Sequence, residues 1–364
     1  MKIVYLTNIP APYREDFHEL LYKKLKKKYC VIYCSKKEPN RKWNFRLGRY
    51  KKIFLNSTQL KFNNRYSYFD IKILKILNNI KPKVIILNGL SPVMVITFIW
   101  AKIFNCKIIA STDANILTEK EQGLSILQKI IRNLFFPKSD AYLGASKKTE
   151  KLYKYYKYNS KNKFFTSYYS YLTPVNKRII PINKRKFDII LCGQFIKRKK
   201  FDFAIKVIKK IFDIKKNLKI KIIGDGPLKK EIISKLNETG VNFKYLKYVK
   251  PNKILKEFSS AKLFLFPTSS DGWGVVATEA CLAGTPVITC KSAGVADELI
   301  INNYNGYVLN LNYNLWSNKI IHLLKNKSKI KIFSLNAFNE VKKFDTNVSV
   351  QNVIKSIKVL NLNK

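Results

Sequence analysis

Carboxylates and histidines are in short supply in this chain. Against 70 Lys and Arg stand 23 Asp and Glu and two His, a formal net charge of +47 over 364 residues. The six cysteines are scattered at positions 30, 34, 106, 192, 281 and 290, with no CxxC pair and too few histidines to complete a metal site. With no apolar leader ahead of the first strand, the thiols are expected to stay reduced in a cytoplasmic protein. Long apolar runs are missing too. The most hydrophobic stretch, residues 84–104, is broken by Asn88-Gly89, Ser91-Pro92 and Lys102, which leaves only 93–101 intact. A bilayer span needs ~20 residues, so the stretch reads as a buried strand, a turn and a buried helix. Neither an internal repeat nor a low-complexity tract is visible.

What is present suits two globular domains. Hydrophobic residues make up 46% of the chain, enough for packed cores, and the length exceeds one ordinary domain. The charge points to polyanionic partners, either nucleic acid or an anionic membrane surface. It also has a compositional reading. The lysines run along the whole length of a sequence rich in Lys, Asn and Ile, the residues that AT-rich coding DNA favours.

Apolar runs alternate with helical patterns. Strands are expected at 2–6, 31–34, 84–87, 107–110 and 141–144, with an amphipathic helix over 15–27. The pattern lapses between Tyr171 and Arg185 (LTPVNKRIIPINKR), which marks a domain boundary, and then restarts. Strands at 187–192, 219–223, 243–246, 262–266 and 286–289 alternate with helices at 202–214, 228–236 and 275–283. Repeated strand–helix alternation means parallel sheets covered on both faces. The expected organisation is an α/β chain of two doubly wound, Rossmann-like domains, 1–175 and 185–345. A helix over 346–364 is expected to pack back on the first domain, and ligands to bind at the carboxyl ends of the strands.

The strongest chemical signal is PTSSDGWGVVATEACLAGTP at 267–286. A buried strand runs into a loop with two glycines and then a helix, whose free N–H groups and positive macrodipole end suit a phosphate. Asp271 lies in the loop, with Glu279 eight residues later among neighbours that look buried. The alternative is that both acids merely favour a helix N-terminal region. Next is CGQFIKRKK at 192–200, where Gly193 ends a strand and four cations follow. They can neutralise a diphosphate, or they are a solvated charge run in a lysine-rich protein. The turn GDGP at 224–227 is weaker, since many turns look like it.

Taken in order, CGQFIKRKK, GDGP, DGWGVVATE, AGTPV, GVADELI and NGYVL resemble the second domain of family 4 of the GT-B glycosyltransferases. NIPAPYREDF is similar, more loosely, to that family's opening strand and acceptor-side loop. The resemblance implies a retaining, metal-independent transfer of a sugar from a nucleotide-diphosphate donor, a UDP- or GDP-sugar. The acceptor would be a glycan or a lipid-linked molecule, as in surface-polysaccharide synthesis. Lys199 would neutralise the diphosphate, helped by Arg198 because Gln194 stands where an arginine is expected. Lys200 replaces an expected glycine. Asp271 would meet the sugar, Glu279 would accept from the ribose hydroxyls, and Gly193, Gly224, Gly272, Trp273, Gly274 and Val275 would line the nucleotide. No Asp-x-Asp occurs, in keeping with phosphate charge met by cations and a helix terminus rather than a metal.

The first domain offers Arg14, after the first turn-rich loop, and Asp113, in STDANIL, as acceptor-side residues. His18 is expected to be packed or exposed rather than catalytic. The helix over 15–27 carries Lys23, Lys24, Lys26, Lys27 and Lys28 beside Leu20, Leu21 and Leu25. It is either a membrane-interface element that places the protein peripherally on anionic lipid, or a core-facing helix with a basic outer face. An NDP-sugar epimerase, a nucleic-acid-binding protein and a non-catalytic homologue are the competing readings. The first two leave the donor-type loop unexplained, and no nucleic-acid-binding motif is present; Gln194 and Lys200 prompt the third.

Overall fold

The computed structural model describes residues 2–39, 41, 43, 45–62, 65–159, 161, 163–171 and 179–360. Part of the expected boundary segment, 172–178, lies outside them. The chain separates into a first unit, Met1–Leu172 with Thr346–Lys364, and a second, Thr173–Asp345.

The first unit runs β1 (Ile3–Thr7), α1 (Pro12–Leu25), β2 (Tyr29–Tyr33), β3 (Lys52–Phe54), β4 (Thr58–Phe62), β5 (Arg65–Phe69), α2 (Lys72–Ile80), β6 (Val84–Asn88) and α3 (Pro92–Ile103). It continues through β7 (Lys107–Thr112), α4 (Ile116–Gln122), α5 (Ile126–Phe135), β8 (Ala141–Gly144), α6 (Lys147–Tyr155) and β9 (Phe164–Thr166). Seven strands pair in parallel in the order β3-β2-β1-β6-β7-β8-β9, and β4 and β5 form a separate antiparallel hairpin. β1 and β2 are buried at every position, as strands covered on both faces must be.

α1 opens on Pro12, whose fixed φ suits a first helical turn and whose missing N–H costs nothing there. Its buried residues Arg14, Glu15, Phe17, His18 and Leu21 fall largely at helical spacing. Leu21 is in the core with Ile3, Tyr5 and Val31, and Leu20 and Leu25 pack against the same cluster. The apolar side of this helix is therefore spent on the core and is not free for a membrane interface. His18 is packed: its Nδ1 lies 2.7 Å from the Tyr29 hydroxyl, and burial, then the Arg14 charge, hold its pKa well below the ordinary 6.5.

The second unit runs β10 (Phe187–Cys192), α7 (Phe201–Ile214), β11 (Lys219–Ile223), α8 (Lys229–Glu238), β12 (Asn242–Leu246), α9 (Ile254–Ser259) and β13 (Ala261–Phe266). It ends with α10 (Val275–Leu282), β14 (Val287–Thr289), β15 (Gly306–Val308), α11 (Tyr313–Lys325) and α12 (Lys327–Glu340). All six strands are parallel, in the order β12-β11-β10-β13-β14-β15. A last helix, α13 (Thr346–Lys358), returns to the first unit, where it packs on α1, β8 and β9. Among the described residues no helix is long and apolar enough to cross a membrane.

Candidate active site

In the second unit the strand order reverses between β10 and β13. From β10 the chain builds outward to β11 and β12, then lays β13, β14 and β15 on the other side. The crevice at the carboxyl ends of two such strands is where open parallel sheets bind ligands. Both strong sequence segments enter it, 193–200 after β10 and 267–274 after β13.

The two loops are joined through Arg198. Its carbonyl accepts from the Ser269 N–H at 2.9 Å and from the Thr268 hydroxyl at 3.0 Å. Across the same seam, Asp271 Oδ2 accepts from Arg198 Nη1 at 3.2 Å and from Lys199 Nζ. The Lys199 and Asp271 side chains keep only 12% and 14% of their exposure, so this is a largely desolvated pair and not a surface one. Burial pulls the Lys199 pKa below its ordinary value, against the attraction of Asp271. Burial pushes Asp271 upward, but the Lys199 and Arg198 charges outweigh it and hold the carboxyl below the usual range. The cluster thus sets two basic side chains against one carboxylate at the crevice.

α10 adds the second anion-attracting element. It begins after Gly274, at φ +110°, where an added Cβ would lie 2.8 Å from the Phe266 ring. No side chain caps it, and the first-turn N–H groups of Val275 and Val276 have no intrahelical acceptor. Glu279, in the second turn, is 7% exposed. Burial and then the Glu279 charge raise the Cys192 thiol pKa, and Lys199 lowers it. The end of β10, the cation loop and α10 thus converge on one place.

Some residues have a different part from the expected one. The Trp273 indole is buried, donates to Thr278 Oγ1 at 3.0 Å and packs against Phe344, so its side chain is scaffold. At Gly224 a Cβ would meet the Gly193 carbonyl oxygen at 2.1 Å; the close approach it permits is to the protein's own backbone. Gly193 itself has room, with the Phe201 ring 3.9 Å from an added Cβ. Lys200, where glycine was expected, holds a left-handed conformation at φ +46°. Gly294, which opens the GVADELI segment, was given no role in the sequence, yet its Cβ would lie 2.0 Å from the Gly272 carbonyl oxygen, so it seats the phosphate-type loop. Among the described residues no group of three or more His, Cys, Asp or Glu is placed to hold a metal ion.

In the first unit the order reverses between β1 and β6. Asn88, at the end of β6, donates to Thr7 Oγ1 at 3.0 Å and accepts from the Tyr169 hydroxyl at 3.3 Å. Arg14 does not stand open beside them. Its guanidinium is buried between the Phe17 and Tyr169 rings and donates to Ser167 Oγ at 3.3 Å. Asp113 is exposed after β7, and its charge reaches the Tyr13 and Tyr169 hydroxyls. Asn88, Tyr13 and Tyr169 were not singled out in the sequence, since neither polarity nor spacing marks them.

Residues 173–340 match the family model described as "Glycosyl transferases group 1". An uncharacterized glycosyltransferase of Methanocaldococcus jannaschii is 30% identical over 184 residues, half of each chain. The poly(glycerol-phosphate) alpha-glucosyltransferase of Bacillus subtilis is 25% identical over 192 residues, 52% of this chain and 28% of that one. The chain spans half or less of the length of the curated relatives it matches. Among solved structures, Anabaena HepE in complex with UDP and glucose superimposes with a TM-score of 0.76 at 14% identity, covering 99% of this chain and 100% of that one. Sucrose-phosphate synthase of Thermosynechococcus elongatus gives 0.76 at 13% identity, with 99% of both chains covered. The fold is that of the GT-B glycosyltransferases.

Proposed function

We propose that this protein, whose residues 173–340 match the glycosyl transferases group 1 model, moves a sugar from a nucleotide-diphosphate donor to a glycan or lipid-linked acceptor in surface-polysaccharide synthesis. The observation that carries the reading is the Lys199–Asp271–Arg198 cluster at the head of α10, set at the switch point of the second sheet. As the bond between the anomeric carbon and the phosphate oxygen breaks, negative charge grows on the leaving diphosphate. Lys199, Arg198 and the first-turn N–H groups of α10 meet that charge in a poorly solvated site, where fixed cations and dipoles stabilise a transition state most. Asp271, anchored by both cations, is positioned to accept hydrogen bonds from the sugar. Glu279, buried beside the end of β10, accepts from the ribose.

No divalent metal enters this scheme, because cations and a helix terminus neutralise the phosphates. The sugar retains its anomeric configuration: the acceptor oxygen forms the new bond on the face the diphosphate leaves, and its proton passes to the departing phosphate oxygen. The relatives' names favour this donor class, one being a glucosyltransferase and one being held with UDP and glucose. The test is nucleotide release from UDP-, GDP- and ADP-sugars, followed by the anomeric proton coupling of the product. One donor consumed with retention is expected. No turnover of any sugar nucleotide, together with no nucleotide binding, would overturn the proposal.

A further inference from the structure

Thr268, two residues past the end of β13, is 0% exposed, so its side chain acts through the protein and not on a ligand. Its hydroxyl lies 3.0 Å from the Arg198 carbonyl oxygen and 2.8 Å from the Ser270 carbonyl oxygen. A hydroxyl has one proton to donate, so the two carbonyls share it. Both belong to the same cation. The Ser270 oxygen also accepts at 2.5 Å from Arg198 Nη1, the nitrogen that reaches Asp271. One buried hydroxyl therefore ties the main chain of Arg198 to the group that receives its guanidinium.

The segment after β14 holds Thr268 from the other side. The Thr268 carbonyl accepts from Ser292 Oγ at 2.6 Å and from Cys290 Sγ at 3.0 Å, and its N–H donates to Cys290 Sγ at 3.4 Å. The Asp271 N–H donates to the Ser292 carbonyl at 3.2 Å. Three loops, after β10, β13 and β14, thus meet at this residue. Arg198 needs such a fixture. It lies in the short turn Lys197–Lys199, and its long side chain keeps 26% of its exposure. A cation that meets charge growing on a leaving group is most effective when it already stands in place. We propose that Thr268 is a positioning residue, whose hydroxyl sets the Arg198 guanidinium against Asp271 for transfer. The inference rests on the donor reading of this site given above.

The test measures kcat and KM of the full chain with UDP-glucose, GDP-mannose and ADP-glucose, using the one that wild type consumes. Thr268→Val keeps the side-chain shape and removes the hydroxyl. Both carbonyls retain a donor, the Ser269 N–H at 2.9 Å and Arg198 Nη1 at 2.5 Å, so the variant should fold, as thermal unfolding would check. Its kcat should fall about tenfold while KM changes less than about twofold, because the lost bond acts on a cation that matters most in the transition state. Thr268→Ala, a second variant without the hydroxyl, should show the same split. Thr268→Ser, which restores the hydroxyl, should return kcat to within about threefold of wild type. In an Arg198→Ala background, Thr268→Val should cost no more than about twofold, since its effect runs through Arg198. Wild-type kcat in both hydroxyl-free variants would overturn the assignment. So would a serine variant as slow as the valine one, or a loss that persists undiminished in the Arg198→Ala background. Wild type that turns over no sugar nucleotide would overturn it too, and the donor reading falls with it where nucleotide is not bound either.

Discussion

Asp271→Asn isolates the cluster at the head of α10, because it keeps side-chain size and removes the carboxylate charge paired with Lys199. Removing one partner of a buried ion pair costs about 3–5 kcal/mol when the pair is fully desolvated. Here Lys199 and Asp271 retain 12% and 14% exposure, and the asparagine oxygen can still accept from Lys199. The cost therefore falls below that range, to about 2–3 kcal/mol, which lowers the melting temperature by roughly 4–12 °C for a unit of this size. Nucleoside diphosphate should reverse part of the loss. With Asp271 neutral, the cluster carries two positive charges, and the phosphates restore the missing negative charge to Lys199 and Arg198. Differential scanning fluorimetry with UDP, GDP and ADP should therefore show a larger ligand-induced rise in the variant than in wild type, while sugar transfer falls. A variant that melts like wild type would refute the dependence of Lys199 on Asp271. A ligand-induced rise that shrinks would mean that Asp271, and not the cations, holds the nucleotide.

Three other perturbations reach separate parts of the molecule. Glu279→Gln should weaken nucleotide binding by about 1.5–3 kcal/mol, the usual worth of a hydrogen bond to a charged group; unchanged affinity in isothermal titration would remove Glu279 from the ribose. Lys200→Gly should stabilise the second unit by about 0.5–1 kcal/mol in denaturant titration, since relief of a left-handed conformation outweighs glycine's extra unfolded-state entropy. A loss of stability would show that the Lys200 side chain contributes to the fold. His18 stays neutral in the folded first unit, so below about pH 6.5 the unfolded chain binds a proton that the folded chain does not. Stability should then fall by up to ~1.4 kcal/mol per pH unit, and His18→Gln should remove that contribution to the slope. A wild-type profile that is flat from pH 7 to 5 would contradict the neutral assignment.

The fold was legible where local pattern and tertiary role coincide. β8, β10 and β11 occupy the residues expected of them, because apolar residues dominate a strand buried on both faces, even where β10 includes Asp188 and β11 includes Lys221. β7 runs two residues past the expected end, since Ser111 and Thr112 are polar yet belong to the sheet. The short edge strands β3 and β15 and the hairpin of β4 and β5 carry no such run and were not anticipated. At the site, Asp271 and Glu279 stand out because their loop-and-helix spacing is local. The bonds of Thr268 and Asp271 to Arg198 join residues 70 and 73 apart, which no local pattern reports. Arg14 shows the converse: a cation after a turn looks available, and only packing reveals it sandwiched between two rings. In α5, ILQKIIRNLF has aliphatics at nearly every turn, and periodicity alone could not say which of them the core would take.

Whether Lys199 and Arg198 meet the charge of the departing diphosphate is decided by single-turnover nucleotide release in EDTA, with the sugar nucleotide that binds. Wild type should release nucleotide at its full rate in the chelator. Lys199→Ala should be slower by about 10²–10³-fold, with donor affinity less affected, and Arg198→Ala should also be slowed. Loss of wild-type release in EDTA, or release by Lys199→Ala at the wild-type rate, would contradict the assignment.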